Sequence, residues 1–188
     1  MVCLWTANWG LACSFFARRT FTVTNFPIPG YILRVGSGLD RALLVKLMQR
    51  TYQELFPNQS FAHLSQTVDQ YLSKETPLWW VEEDRKTHSQ ENAALSTTPS
   101  PIACLWIGTA IDQIQGERNT YIFLLYVSPA HRRQGIGFAL MQLAEDWAKA
   151  RGDQQIGLQV FQQNQPALNL YEKLGYKSQS IWMVKQLG

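Results

Sequence analysis

Hydrophobic positions along the chain fall into two spacings, and each change of spacing marks a new element. Residues 31–35 (Tyr-Ile-Leu-Arg-Val) follow a Pro-Ile-Pro-Gly turn and read as a short strand, closed by Gly36-Ser37-Gly38. From residue 39 to 55 the apolar positions Leu44, Leu47, Met48 and Leu55 lie near helical spacing, and Pro57 stops the helix they predict. A second helical stretch runs over residues 61–72, and Leu78-Trp79-Trp80-Val81 reads as a strand. Residues 83–100 are polar and without periodicity, which predicts a mobile hairpin loop.

Two further strands are predicted over residues 102–111 and 120–127. The glycine-containing segment 132–138 leads into a helix over 136–151, where Leu140, Leu143, Ala144 and Trp147 share one face and Gly152 suits the C-terminal cap. Residues 155–161 read as the next strand. Asn164 and Pro166 open another helix, because proline is tolerated where a helix N–H has no partner, and Leu174-Gly175 end it. A last strand is predicted over 181–187. The order β-α-α-β-β-β-α-β-α-β describes an α/β sheet of mixed strand direction. No internal repeat or linker interrupts it, so residues 31–188 read as one domain preceded by an N-terminal arm, 1–30.

Composition narrows the class. With 188 residues, 46% apolar and 16% charged, the chain can bury one sizeable core and does not have the composition of a disordered protein. A net charge of +3 suits an anionic ligand but falls far short of the dense basic stripe of a nucleic-acid binder. Cys3, Cys13 and Cys104 are odd in number and scattered, which argues against a disulfide framework or a metal site and fits a reducing cytoplasm. In residues 1–17 the apolar run precedes Arg18-Arg19, the reverse of a secretory signal, and is too short to span a bilayer. It reads as a docked arm, or as sequence upstream of the true start.

Chemistry concentrates in one run, where the strand end Leu125-Tyr126-Val127 is followed by Ser128-Pro129-Ala130-His131 and then by Arg132-Arg133-Gln134-Gly135-Ile136-Gly137-Phe138. Glycines before a helix free the backbone N–H groups to face an anion, and the helix dipole assists. A phosphorylated cofactor is the natural guest, with Arg132 and Arg133 adding charge-assisted contacts. Two rival phosphate motifs fail. A dinucleotide fingerprint needs Gly or Ala where Leu140 stands, and a P-loop needs a Gly-Lys-Ser/Thr tripeptide that does not occur.

Arg132-Arg133-Gln134-Gly135-Ile136-Gly137 resembles the R/Q-x-x-G-x-G/A signature of the GNAT superfamily of N-acetyltransferases. A second stretch, Asn164 to Tyr176 with Ala167, Tyr171 and Gly175 in step, is similar to that family's N-x-x-A-x-x-x-Y-x-x-x-G-F/Y block. The resemblance implies a mixed, mostly antiparallel sheet flanked by helices and splayed between its fourth and fifth strands. It implies acetyl-CoA as cosubstrate, no metal, and direct transfer of acetyl to a primary amine. The pantetheine arm would pair with Leu125, Tyr126 and Val127; Arg132, Arg133, Gln134, Gly135, Ile136, Gly137 and Phe138 would surround the pyrophosphate; Asn164 would hydrogen-bond the cofactor. Tyr171 would be the general acid that protonates the leaving thiolate.

Two departures qualify what the resemblance implies. Several family members carry a glutamate base on the fifth strand, where this chain has Gln159, so deprotonation falls to water, to Glu82 or Asp112, or to solvent. The stretch 176–180 leaves little room for the loop that often walls the acceptor site, which the N-terminal arm or a second subunit of a homodimer would then complete. The retained Tyr171 favours an enzyme over the alternative, a CoA-binding sensor or scaffold without turnover. His63, His88 and His131 read as surface or loop residues, and the Trp79-Trp80 pair as one ring on each face of the sheet.

Overall fold

In a computed structural model, residues 26–84, 100–112 and 114–187 are described; most of the N-terminal arm, most of the predicted 83–100 loop and His88 lie outside them. Five strands form one sheet in sequence order: β1 (Tyr31–Val35), β2 (Leu78–Glu83), β3 (Ala103–Ile111), β4 (Arg118–Val127) and β5 (Ile156–Leu158). The first three pairings are antiparallel and β4–β5 is parallel. Helices α1 (Arg41–Leu55) and α2 (Leu64–Tyr71) pack on one face, and α3 (Ile136–Arg151) and α4 (Gln165–Lys173) on the other. This is the mixed, mostly antiparallel sheet flanked by helices that the sequence resemblance implied.

Alternation along β2 feeds both cores. Trp80 packs with Leu44, Met48 and Val68 under α1 and α2, while Trp79 and Val81 pack with Leu140 and Met141 under α3. A strand buried on both faces reads as the continuous apolar run Leu-Trp-Trp-Val seen here. Ser37 and Asp40 form a capping box just before α1, which turns the Gly36-Ser37-Gly38 segment into the helix. At the far end of α3, Gly152 adopts φ 85°, and the Asp153 N–H reaches back to the Ala148 carbonyl at 3.0 Å.

The decisive irregularity lies in β4. Leu124 pairs with Trp106 but Ile122 with Ile107, so Phe123 is an extra residue, a β-bulge. The bulge changes which residues face which core. Leu124 and Tyr126 join Phe123 under α1, whereas Ile122, Leu125 and Val127 face α3 and α4. Gly108 makes room for it, because a Cβ there would stand 2.1 Å from the Phe123 ring. A bulge bends its strand, and β4 accordingly leaves β5, pairing with it only through Thr120, Tyr121 and Ile122. The near end of β5 is anchored: Gln155 N–H donates to Asn119 Oδ1 at 3.2 Å, and the Thr120 hydroxyl bonds Asp153.

Two strand expectations need correction. The fifth strand spans three residues, not the predicted 155–161, because the diverging β4 offers no partner past Leu158. Residues 181–187 form no strand, and Ile181, Trp182, Met183 and Val184 are exposed. Their apolar, β-prone composition suits a strand, but a strand needs a ladder, and a three-residue β5 offers too little pairing to offset the entropy of ordering them. Elsewhere the boundaries shift by no more than a turn.

The bulge supplies a stability prediction. Gly108→Ala should destabilise by about 1–3 kcal/mol, the usual cost of forcing a side chain into packed space. Denaturant unfolding of Gly108→Ala, Phe123→Leu and the double variant should show a loss clearly smaller than additive. Additive losses would mean that the Phe123 ring is not what fills the space above Gly108.

Candidate active site

Beyond Ile122 the β4 edge that β5 no longer covers runs through Leu125, Tyr126 and Val127. Leu125 and Val127 turn their side chains toward α3 and α4, while the Tyr126 ring is buried on the opposite face. Tyr126 can therefore offer a ligand only its backbone at this edge. Directly after Val127 comes a short 3-10 turn, Pro129–His131, then a backbone that changes hand twice: Arg133 at φ 66° and Gly135 at φ 85°. Left-handed conformation is unusual for arginine and routine for glycine, and such alternation gathers successive N–H groups into an anion-binding nest. The first backbone bond of α3 runs from Ala139 N–H to Gly135 C=O at 2.9 Å. The amides of Ile136, Gly137 and Phe138 thus precede the helical ladder and face outward at its positive end.

The loop is pinned from three sides. Tyr31 on β1 donates its hydroxyl to Gln134 Oε1 at 2.7 Å and lies 3.0 Å from His131 Nδ1. His131 Nε2 lies 3.7 Å from Glu83 on β2, so this histidine is a half-buried bridge rather than a free surface residue. Arg132 donates Nε–H to the Val127 carbonyl at 2.9 Å and pairs with Glu54 on α1. The sequence run treats the two arginines alike, but their surroundings separate them. Arg132 braces the loop, while Arg133 stands exposed with no ion pair among the described residues. Glu54 and Tyr31 are the residues that sequence reasoning missed. They lie 78 and 103 positions from their loop partners, so no local spacing could have revealed them.

Gly137 lies where α3, α4 and β4 meet, and a Cβ there would stand 3.4 Å from Leu170 Cδ2 and 3.8 Å from Val127 Cγ2. A methyl there would rest in ordinary contact with both. Phe138 is exposed on the first turn of α3. Asn164 caps α4 by accepting the Ala167 N–H at 3.3 Å, which commits its Oδ1 and leaves Nδ2 to donate. Two turns further along, Tyr171 packs in the same cluster as Leu125, Val127 and Leu170, its ring 5.8 Å from that of Tyr176. Burial pushes the Tyr171 phenol up to about 12, so it holds its proton throughout the neutral range.

The other candidate bases are occupied elsewhere. Glu82 is buried and accepts from Arg34 Nε at 2.7 Å, and Asp112 caps a turn by accepting the Ile114 and Gln115 N–H groups at 3.1 Å. Gln159 is exposed, one residue past the end of β5. Cys104 is fully buried and its thiol is pushed well above its ordinary value by burial, so it supplies no thiolate nucleophile.

Comparison with known proteins identifies the family. The model of the acetyltransferase (GNAT) family matches residues 43–176. The chain belongs to the GNAT family. The uncharacterized N-acetyltransferase YdgE of Bacillus subtilis is 29% identical over 82 residues, 44% of this chain and 52% of that protein. The thialysine N-epsilon-acetyltransferase of Mus musculus is 40% identical over 58 residues, 31% of this chain and 34% of that protein. The matched stretches thus span about half or less of these curated relatives. Among solved structures, a putative acetyl transferase from Pyrococcus furiosus has a TM-score of 0.61 at 24% identity, covering 82% of this chain and 99% of that one. A predicted acetyltransferase from Clostridium acetobutylicum, solved with acetyl-CoA, has a TM-score of 0.64 at 20% identity, covering 83% of this chain and 96% of that one. No helix among the described residues is long and apolar enough to cross a membrane.

Buried phenols give this GNAT chain a pH signature. Tyr52, Tyr121, Tyr126, Tyr171 and Tyr176 are all raised above the ordinary tyrosine value, in each case with burial as the largest cause. A raised phenol stabilises the fold fully below the unfolded value near 10, and that stability is lost as pH climbs toward the folded value. For Tyr171 the window therefore runs from about pH 10 to about 12. Phenolate absorbance followed alongside circular dichroism should show these tyrosines ionising only as the fold is lost. Full ionisation near pH 10 in a folded protein would contradict it.

Proposed function

We propose that this GNAT protein transfers an acetyl group from acetyl-CoA directly to a primary amine. The observation that carries the reading is the divergence of β4 from β5 after Ile122, which frees a strand edge leading straight to the nest before α3. The Clostridium neighbour, solved with acetyl-CoA, supports the choice of cosubstrate. The scattered cysteines, of which Cys104 is buried and unpaired, support a cytoplasmic setting.

Each residue follows from its place. The peptide groups of Leu125, Tyr126 and Val127 pair with the amide-rich arm of the cosubstrate as an added strand would. The amides of Gln134, Gly135, Ile136, Gly137 and Phe138 and the exposed Arg133 face its pyrophosphate, while Arg132 braces the loop through Glu54. Asn164 donates through Nδ2 near the splay. Acetyl-CoA supplies an activated thioester, and the amine attacks its carbonyl while β4 N–H groups stabilise the developing oxyanion. Tyr171 then gives its proton to the departing sulfur as the C–S bond breaks, and the proton lost by the attacking nitrogen passes to water, which returns one to the Tyr171 phenolate.

A phenol near 12 and a free thiol near 8.5 differ by roughly 5 kcal/mol in static proton affinity. The same burial that raises the phenol also disfavours a thiolate in the slot beside it. The two proton affinities therefore converge where transfer takes place.

Three outcomes test the reading. Acetyl-CoA at 100 times its Kd should stabilise the protein by about 2.7 kcal/mol, visible as a higher Tm. Glu54→Gln should weaken that effect by releasing Arg132, with kcat little changed. Tyr171→Phe should lower kcat by roughly 10²-fold or more while acetyl-CoA affinity stays within a few-fold. Normal turnover with reduced stability would make Tyr171 a packing residue, and binding without turnover on any amine would favour a CoA-binding sensor.

A further inference from the structure

The braces on the loop before α3 constrain protons as well as shape. The Tyr31 hydroxyl carries one hydrogen and meets two partners, Gln134 Oε1 at 2.7 Å and His131 Nδ1 at 3.0 Å. A carboxamide oxygen can only accept, so the phenol hydrogen goes to Gln134 and His131 must donate from Nδ1. The other ring nitrogen, Nε2, faces Glu83 at 3.7 Å. A neutral ring with its hydrogen on Nδ1 would turn a bare lone pair toward that carboxylate. An imidazolium instead presents an N–H at both ends and satisfies both contacts. A second arrangement fits the same positions. A ring with its one hydrogen on Nε2 donates toward Glu83 and accepts the phenol hydrogen at Nδ1, and Gln134 must then turn its amide over to donate to Tyr31. One hydroxyl thus ties the charge of His131 to the orientation of the Gln134 amide.

We infer that His131 is a positioning residue for the cosubstrate loop, and that it takes up a proton as the cosubstrate binds. The inference rests on the acetyl-CoA reading of this site. Gln134 lies inside the nest, between Arg133 at φ 66° and Gly135 at φ 85°. With His131 charged, the end of its amide turned away from Tyr31 is a donor; with His131 neutral, that end is an acceptor. A pyrophosphate in the nest favours the donor, and it favours a positive charge nearby. The groups around the ring permit this. Tyr31 meets it from β1 and Glu83 from β2, with Asp84 next to Glu83 in the chain, while Arg132 and Arg133 follow on its own loop. Glu54 on α1 pairs with Arg132, and Glu83 is the carboxylate that faces His131. Coupling between two binding events is reciprocal, so a charged ring also tightens cosubstrate binding. Affinity for acetyl-CoA therefore falls as pH rises. Attack requires a neutral amine and gains with pH, so the two dependences run in opposite directions and separate KM from kcat.

The test is calorimetric titration with acetyl-CoA in buffers of different ionisation enthalpy, which counts the protons taken up on binding. It compares the wild-type protein with His131→Asn, whose amide keeps a donor toward Tyr31 but cannot titrate, and with Tyr31→Phe, which cuts the tie to Gln134. The cosubstrate's own phosphate titrates alike in all three, so the difference belongs to the protein. The wild type should take up more protons than either variant. Its Kd should rise by about threefold more than that of His131→Asn between about pH 6 and 8, the range in which histidine ordinarily changes charge. In proton NMR, the His131 ring signal, identified by its absence from His131→Asn, should titrate at higher pH once acetyl-CoA saturates the protein. Tyr31→Phe and the wild-type proton count keep the test independent of how well His131→Asn folds. Equal proton uptake in wild type and variants, with Kd weakened by the same factor at every pH, would make His131 a packing residue. That result overturns the inference and leaves acetyl-CoA binding standing. Failure of the wild type to bind acetyl-CoA at any pH would sink the reading of the site and the inference with it.

Discussion

One extra residue in β4 organises the molecule. Without Phe123 as a bulge, β4 would keep its register with β3 and its pairing with β5, and the sheet would close. Gly108 is the condition for the bulge, since any side chain there meets the Phe123 ring. The bulge sends Leu125 and Val127 toward α4 and keeps Phe123 under α1, so the two faces of β4 serve two different cores. The anchoring bonds at Asn119 and Thr120 fix where β5 begins, and the splay therefore opens at a defined point rather than anywhere along the strand.

The glycine-turned loop before α3 follows that opening but is held by other elements. Tyr31, Glu54 and Glu83 reach it from β1, α1 and β2, so its shape is set by the sheet and by α1. Glu54 and Tyr52 lie two positions apart near the C-terminal end of α1, so one stretch of helix both braces Arg132 and packs on Phe61 and Phe161.

Much of this was legible in the sequence because it is local. The helix α3 announces itself by Gly135 at its start, Gly152 at its end and an apolar stripe between, and its observed bounds agree with the predicted ones. The order of Asn164, Pro166 and Gly175 likewise fixes α4. What stayed hidden depends on pairs distant in the chain. The bulge is defined by register against β3, the loop braces span 78 and 103 positions, and the length of β5 is set by where β4 turns away. Residues 181–187 show the converse case, where strong local preference for a strand meets no available edge. The two arginines of the motif were indistinguishable in sequence and differ in space: Arg132 is held by Glu54 and the Val127 carbonyl, while Arg133 takes the left-handed backbone conformation.

The proton inventory of the site now has a coherent form. Burial pushes the Tyr171 phenol up to about 12, so at neutral pH it holds a proton that it can give and is no base. Gln159 cannot accept a proton, and Glu82 and Asp112 are held by Arg34 and by a turn. On the acetyl-transfer reading, the acceptor must therefore shed its proton to water, since neither Glu82 nor Asp112 is free to take it, and the low polarity that raises the Tyr171 phenol equally disfavours an ammonium beside it.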